Sequence, residues 1–207
     1  MMRRTIFHFA VFLLFFCLVA APNPVRAGAP TEQVQGTVDN ILAILKNPRL
    51  KGDAAKKERR EQLREIIFAR FDFSEMSKRS LGTQWRKLSP TNQEEFVKLF
   101  TDLLERTYVN QIEAYKDEKV VFLKETLDNN FAEVQSRVVN SKGEDFSLNY
   151  RAHRVGAEWK VYDVVVENIS VINNYRAQFN RILANQSYAE LMRRMKDKQI
   201  EFKGDKK

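Results

Sequence analysis

The chain has one cysteine and two histidines in 207 residues, and its seven glycines stand singly rather than in a phosphate-binding loop. Cys17 lies inside an N-terminal apolar run, so everything after that run has no thiol, disulfide or thiolate metal ligand. A lipoprotein signal places a small residue before its cysteine, and Phe16 is not small. With His8 in the same leader, His153 is the histidine left for any Ser-His-Asp device. It falls on the polar side of a strand pattern and reads as exposed. No cluster of His, Cys and carboxylates has metal-ligand spacing, so neither metal nor cofactor is expected. No Gly/Ser linker or internal repeat divides the chain.

What is present begins with an export signal. Arg3 and Arg4 precede an apolar stretch, Ile6 to Ala21, broken by Pro22 and Pro24. Val25-Arg26-Ala27 puts small residues at the −3 and −1 positions of a cleavage site. At about 16 residues the stretch falls short of the roughly 20 that span a bilayer, so cleavage after Ala27 is favoured over a retained anchor. A cut after Ala21 ranks second because Pro22 would flank the bond. Arg3-Arg4 also raises the twin-arginine route, but the flanking residues match it only in part and the general secretory route is favoured. Residues 1–27 are thus read as a cleaved signal peptide, 28–198 as one domain and 199–207 as a charged, frayed tail.

Removing residues 1–27, with three basic and no acidic side chains, leaves 180 residues and lowers the formal net charge from +8 to +5. That modest excess could help docking on an anionic lipid or an acidic partner, but an ordinary surface of mixed sign is the preferred reading for most of these charges. Export and the lack of a basic, aromatic stripe argue against nucleic acid.

Val34, Val38, Ile41, Leu42 and Leu45 recur at helical spacing up to Asn47-Pro48. A second helix is expected from Asp53 with Leu63, Ile66 and Ile67 on its apolar side, then an apolar stretch from Phe71 to a stop at Gly82. Ser89-Pro90 is a helix start, and Phe96, Val97, Phe100, Leu103, Leu104, Tyr108, Ile112 and Tyr115 form one long stripe. After Asp117 the period becomes two. Lys119–Thr126, Ala132–Asn140, Phe146–Val155 and Glu158–Ser170 read as four strands. Phe146, Leu148, Tyr150 and Ala152 share a face opposite Ser147, Asn149, Arg151 and His153. Val164-Val165-Val166 is apolar on both faces, which predicts a central, twice-covered strand. Helical spacing returns at Ile172, and Ser187 with Glu190 marks a capping box before a last short helix. Helices, then a strand meander, then helices describe a single α+β domain.

Asp163 is the acidic residue of interest, since simple alternation puts it on a face with Trp159, Val161 and Val165. It could be a general base with a raised pKa or a carboxylate paired structurally, the second reading being preferred.

Several segments together resemble the MlaC family, the periplasmic phospholipid-binding proteins also called the toluene-tolerance auxiliary family. They are Leu81-Gly82-Thr83-Gln84-Trp85-Arg86 with Leu88-Ser89-Pro90, then Phe96 and Phe100, then Tyr150 and Glu158-Trp159-Lys160-Val161-Tyr162-Asp163-Val164. Val166-Glu167-Asn168-Ile169-Ser170 leads on to Asn173-Asn174-Tyr175-Arg176-Ala177-Gln178-Phe179. The resemblance covers residues 30 to 198. Asn168 departs from it, standing where a glycine is expected.

The resemblance implies that this antiparallel four-stranded sheet is strongly curved, with helices enclosing a deep apolar cavity. Acyl chains would lie inside and the headgroup in solvent. The implied partners are phospholipid as cargo, an inner-membrane ABC transporter complex with its lipid-binding ring, and an outer-membrane lipoprotein–porin complex. The carrier would shuttle between them as a monomer and maintain outer-membrane lipid asymmetry. The lining residues expected are Phe71, Phe73, Met76, Leu81, Trp85, Phe100, Leu104, Tyr108, Val138, Leu148, Tyr150, Val165 and Phe179, each of which also suits a plain core. Arg176 is expected to pair with Asp163 or Glu167. Burying an acyl methylene contributes about 0.8 kcal/mol, so two chains of about 15 carbons gain roughly 20 kcal/mol or more. A bilayer offers a similar amount, so a carrier must match the membrane without exceeding it. The rival readings are an isomerase or dehydratase on a similar cone-shaped scaffold using Asp163, and a periplasmic module that binds a client protein.

Overall fold

The computed structural model describes residues 30–115, 117–140, 142–197 and 200; the signal-peptide reading of residues 1–27 and most of the expected tail lie outside them. Helix α1, Pro30–Lys46, uses its apolar stripe twice. Val34 and Val38 face the sheet, while Ile44, with Ile41 and Leu45 beside it, meets Leu50 and Leu63. It stops where Asn47 caps a 3-10 turn, Pro48–Leu50, by accepting a hydrogen bond from the Arg49 N–H. Helix α2, Lys56–Arg70, begins three residues later than expected and buries only Leu63, because Lys, Arg and Glu occupy most of its surface.

Helix α3, Phe73–Leu81, is capped by Asp72, whose carboxylate accepts from the Glu75 N–H at 2.9 Å. It ends at Gly82 with φ 56° and ψ −124°, a conformation closed to a side chain. A Cβ there would also lie 2.8 Å from the Arg176 guanidinium. Arg176 is thus packed against Gly82, whereas the cation on Asp163 is Arg151 and Glu167 accepts from the Ser147 N–H. After a 3-10 segment, Gly82–Lys87, helix α4 runs over Pro90–Glu113 with Ser89 as N-cap and Pro90 in its first turn. Its 24 residues span about 36 Å.

The strands are β1 Lys119–Asp128, β2 Phe131–Val139, β3 Asp145–Val155, β4 Glu158–Val166 and β5 Ile169–Ser170, antiparallel in the order β1-β2-β3-β4-β5. Five strands replace the expected four because Glu167 and Asn168 turn the chain with φ 46° and 65°. Asparagine tolerates that left-handed region better than most residues, which explains how it serves at the position where glycine was expected. The same turn corrects the placement of β4. Its second neighbour is the two-residue β5, so it lies beside the sheet edge, though helices do cover both of its sides.

Register across β2 and β3 pairs Val138 with Phe146, Val134 with Tyr150 and Ala132 with Ala152, as the alternation predicts. Between β3 and β4 the register shifts. Ala152 faces Val161, but Arg151 faces Asp163. Cross-strand partners share a face and adjacent residues do not, so Val161 and Asp163 point to opposite sides. A β-bulge at Tyr162 thus overturns the expected common face for Trp159, Val161, Asp163 and Val165. Trp159 and Val161 turn toward α1; Asp163 and Val165 turn toward the start of helix α5, Val171–Asn185. The last helix, α6, is Tyr188–Lys196. Ser187 accepts from the Glu190 N–H, and the Glu190 carboxylate engages Arg193 and Arg194, so half of the capping box is made. Beyond it, Ile200 is buried in the core.

Candidate functional site

Two large apolar clusters result. The helical one joins Met76 and Leu81 of α3, Phe96, Phe100, Leu103 and Leu104 of α4, Ile172, Tyr175 and Phe179 of α5, and Leu191, Met192 and Met195 of α6. Its aromatic rings interlock: Phe100 sits 5.3 Å from Tyr175 and 5.5 Å from Phe179, both edge-on. The sheet cluster joins Val34 and Val38 to Ala132, Val134, Tyr150, Ala152, Trp159 and Val161. Phe71 and Val164 pack against both clusters and form the seam between them.

The thirteen residues expected to line a cavity divide along this seam. Met76, Leu81, Phe100, Leu104 and Phe179 are buried in the helical cluster, with Phe73, Trp85 and Tyr108 packed on it. Tyr150 is buried in the sheet cluster and Leu148 packs against it. Val138 is buried on the same sheet face, whereas Val165 is buried on the opposite one. Phe71 touches both groups. The structure therefore divides most of them between two clusters that meet at Phe71 and Val164.

A cleft of about 600 Å³ opens between α2, α3 and α4. Phe68, Phe73, Trp85 and Val97 form its apolar walls, and Arg64, Lys98, Glu94 and Asp102 line its charged parts. Phe73 and Trp85 belong to the expected set, and both also rest on the helical cluster.

The polar fastenings around the seam went largely unread in the sequence. Arg70 donates to Thr37 Oγ1 at 3.0 Å, Gln33 Oε1 at 2.7 Å and the Trp159 carbonyl at 2.8 Å, tying α2 to α1 and β4. The Asp72 N–H donates to the Val161 carbonyl at 2.9 Å, beside a parallel bridge from Phe71 to Val161. His153, expected to be exposed, has a side chain only 19% exposed; its Nε2 lies 3.0 Å from Asp72 Oδ2 and its ring edge meets Tyr162. Arg59 and Arg60 converge on Glu113 at 2.7 Å each, binding α2 to the end of α4. Burial pushes the Glu113 carboxyl up, but hydrogen bonds from Arg60 and Arg59 outweigh it and hold the group below its ordinary range. The N-cap position of Asp72 was a readable signal. Pairing over fifty or eighty residues of chain was not.

Asp163 accepts from Ser170 Oγ at 2.6 Å, the Ile172 N–H at 3.1 Å and Arg151 at 3.4 Å. Burial raises its carboxyl above the usual range while those three donors pull it down. Its oxygens are committed to the first turn of α5, which suits an anchor between sheet and helix better than a base aimed at a substrate. Among the described residues no group of three or more His, Cys, Asp or Glu could hold a metal ion, and no helix is long and apolar enough to cross a membrane.

The profile of the family described as MlaC protein matches residues 35–197. The chain belongs to the MlaC family. It is 30% identical over 120 residues to the intermembrane phospholipid transport system binding protein MlaC of Haemophilus influenzae, a match covering 56% of each chain. It thus spans a little over half the length of that MlaC relative. It is 27% identical over 157 residues to the toluene tolerance protein ttg2D of Pseudomonas putida, covering 75% of this chain and 73% of that one. Among solved structures, the phospholipid-binding protein from Ralstonia solanacearum, in complex with a phospholipid, superposes with a TM-score of 0.73 and 26% identity. That match covers 82% of this chain and 96% of the other. The MlaC fold therefore accounts for nearly all of the described residues.

Proposed function

We propose that this protein is a periplasmic phospholipid carrier. Freed of residues 1–27, it takes lipid between an inner-membrane ABC transporter complex with its lipid-binding ring and an outer-membrane lipoprotein–porin complex, and so maintains outer-membrane lipid asymmetry. The observation that carries this reading is the likeness, over most of the chain, to a structure in complex with a phospholipid. The relative named for an intermembrane phospholipid transport system supports the transport part.

The two clusters, joined at Phe71 and Val164, suggest how lipid is held. Acyl chains lie along the seam, parting the helical layer from Leu148, Tyr150 and Val138 of the sheet. Phe71, placed between α2 and α3, is the side chain that must move. Lining of this kind is apolar and without fixed polar anchors, as a carrier that has to release its load into a membrane requires. Asp163, held by Ser170, Ile172 and Arg151, supports the fold on this reading and performs no chemistry.

Native mass spectrometry of the protein purified from a bacterial periplasm without detergent, with organic extraction of the same sample, tests the proposal. Diacyl phospholipid near one per chain is expected. A lipid-free protein that also fails to take up added phospholipid would overturn it.

A further inference from the structure

Strand β1 ends the sheet, and among the described residues no strand pairs with its outer edge. It is ten residues long, and its Val121, Leu123 and Leu127 are 45%, 59% and 57% exposed. A long edge carrying exposed apolar side chains is a template for another strand. We infer that the partner is a second copy of this chain, with two β1 strands joined antiparallel about a two-fold axis, a weak self-association at high concentration beyond the monomer that the family resemblance implies.

The charge pattern selects that occupant. In the register that sets Lys119 of one copy opposite Asp128 of the other, the pairs between are Val120 with Leu127, Val121 with Thr126, Phe122 with Glu125, and Leu123 with Lys124. A two-fold axis repeats each pair in reverse, and no like charges meet. Leu127 covers Val120, and the exposed Leu123 residues come together near the axis.

The bulge in β1 makes this register permissible. Val120 and Phe122 lie opposite Val138 and Ser136 on the face that carries the sheet cluster. Past the shift between Phe122 and Lys124, Glu125 and Leu127 lie opposite Val134 and Ala132 on the same face. In an unbroken strand residues 120 and 127 would point to opposite faces, and the pairing would set apolar against solvent-facing side chains. With the bulge, every opposed pair shares a face. Bulges and edge lysines commonly prevent edge pairing; here the bulge permits the one register that pairs all ten residues of the strand, and that register is self-complementary. Within each copy Asp128 Oδ1 accepts from Asn129 Nδ2 at 3.0 Å and Glu125 stays bound to Thr31 at 2.6 and 2.8 Å, so Asp128 Oδ2 is the oxygen offered to Lys119.

One strand pair is a small interface, and the dimer is therefore weak and concentration-dependent. Sedimentation equilibrium of the purified protein over a range from micromolar to about millimolar tests it. A monomer–dimer equilibrium is expected. Lys119→Glu and Asp128→Lys should each weaken dimerisation about tenfold, since each sets like charges opposite at both ends, and the double reversal in one chain should restore it. Both positions are exposed, and unchanged thermal unfolding of each variant will show that folding is intact. A monomer throughout the range, or a dimer indifferent to the single reversals, would overturn the inference.

Discussion

The two apolar clusters are built differently. The helical cluster is aromatic and closed: Phe96, Phe100, Tyr175 and Phe179 have no exposed surface, Phe96 stacks on Phe100, and Phe179 meets both of these edge to face, as Tyr175 meets Phe100. The sheet cluster sets small and β-branched residues, Val134, Ala152 and Val161 among them, around Tyr150 and Trp159, and it thins outward to the half-buried Leu148 and the exposed Phe146. A locked layer opposed to a looser one is an arrangement that can part on one side without losing its fold. On the carrier reading the helical side sets the shape and the sheet side yields.

The sharpest way to break this contrast is to make a void on each side. Phe100→Ala should cost about 3–5 kcal/mol, because three aromatic neighbours lose a partner and the rings cannot collapse into the gap. Val134→Ala, equally buried, should cost about 2 kcal/mol. Urea unfolding measures both. Equal losses would mean that the two layers are equally rigid, and the proposed seam would lose its basis.

A smaller effect on stability but a larger one on cargo is expected from Leu148→Asp. The residue is half-buried, so the new carboxylate can reach water and the cost should be about 1–2 kcal/mol. On the carrier reading it places a charge beside the acyl chains, and bound phospholipid should fall several-fold in the extracted protein. Full lipid content in a folded variant would move the chains away from β3.

These expectations rest partly on features that local sequence declares and partly on features it hides. Ser89-Pro90, Gly82 and Ser187 mark helix ends through their own chemistry, and the alternation in β2 and β3 identifies the sheet face directly. The bulge in β4 is different in kind. Trp159, Val161, Asp163 and Val165 alternate perfectly in sequence and in burial, yet they divide between two faces because the register with β3 shifts. Registry is settled by partners far along the chain. For the same reason the grip of His153 on Asp72 and of Arg59 and Arg60 on Glu113 could not be read from spacing. The expected lining residues were legible as apolar and inward-facing, but their division into two clusters followed only from the packing of α1 on the sheet and of α3 with α4, α5 and α6.

Asp163 marks the point where the layers are fastened, and its titration tests whether that fastening is structural. Burial raises the carboxyl above its ordinary value of 3.8 in the folded protein. Between 3.8 and the raised value the folded state holds more protons than the unfolded chain, so this group makes stability fall as pH rises across that window. Below the window the penalty is absent, and above it the penalty is constant. Asp163→Asn removes the exchange of protons but leaves an oxygen for the Ile172 N–H, while Ser170 Oγ can accept from the new amide. Arg151 keeps Glu133 at 3.1 Å. At neutral pH the variant should therefore stay within about 1 kcal/mol of the parent, and its stability should decline less from pH 4 upward. Urea unfolding at a series of pH values reads the difference in slope. Parallel profiles for the two proteins would show that the carboxyl does not titrate abnormally, and a variant that unfolds outright would show that α5 depends on the charge itself.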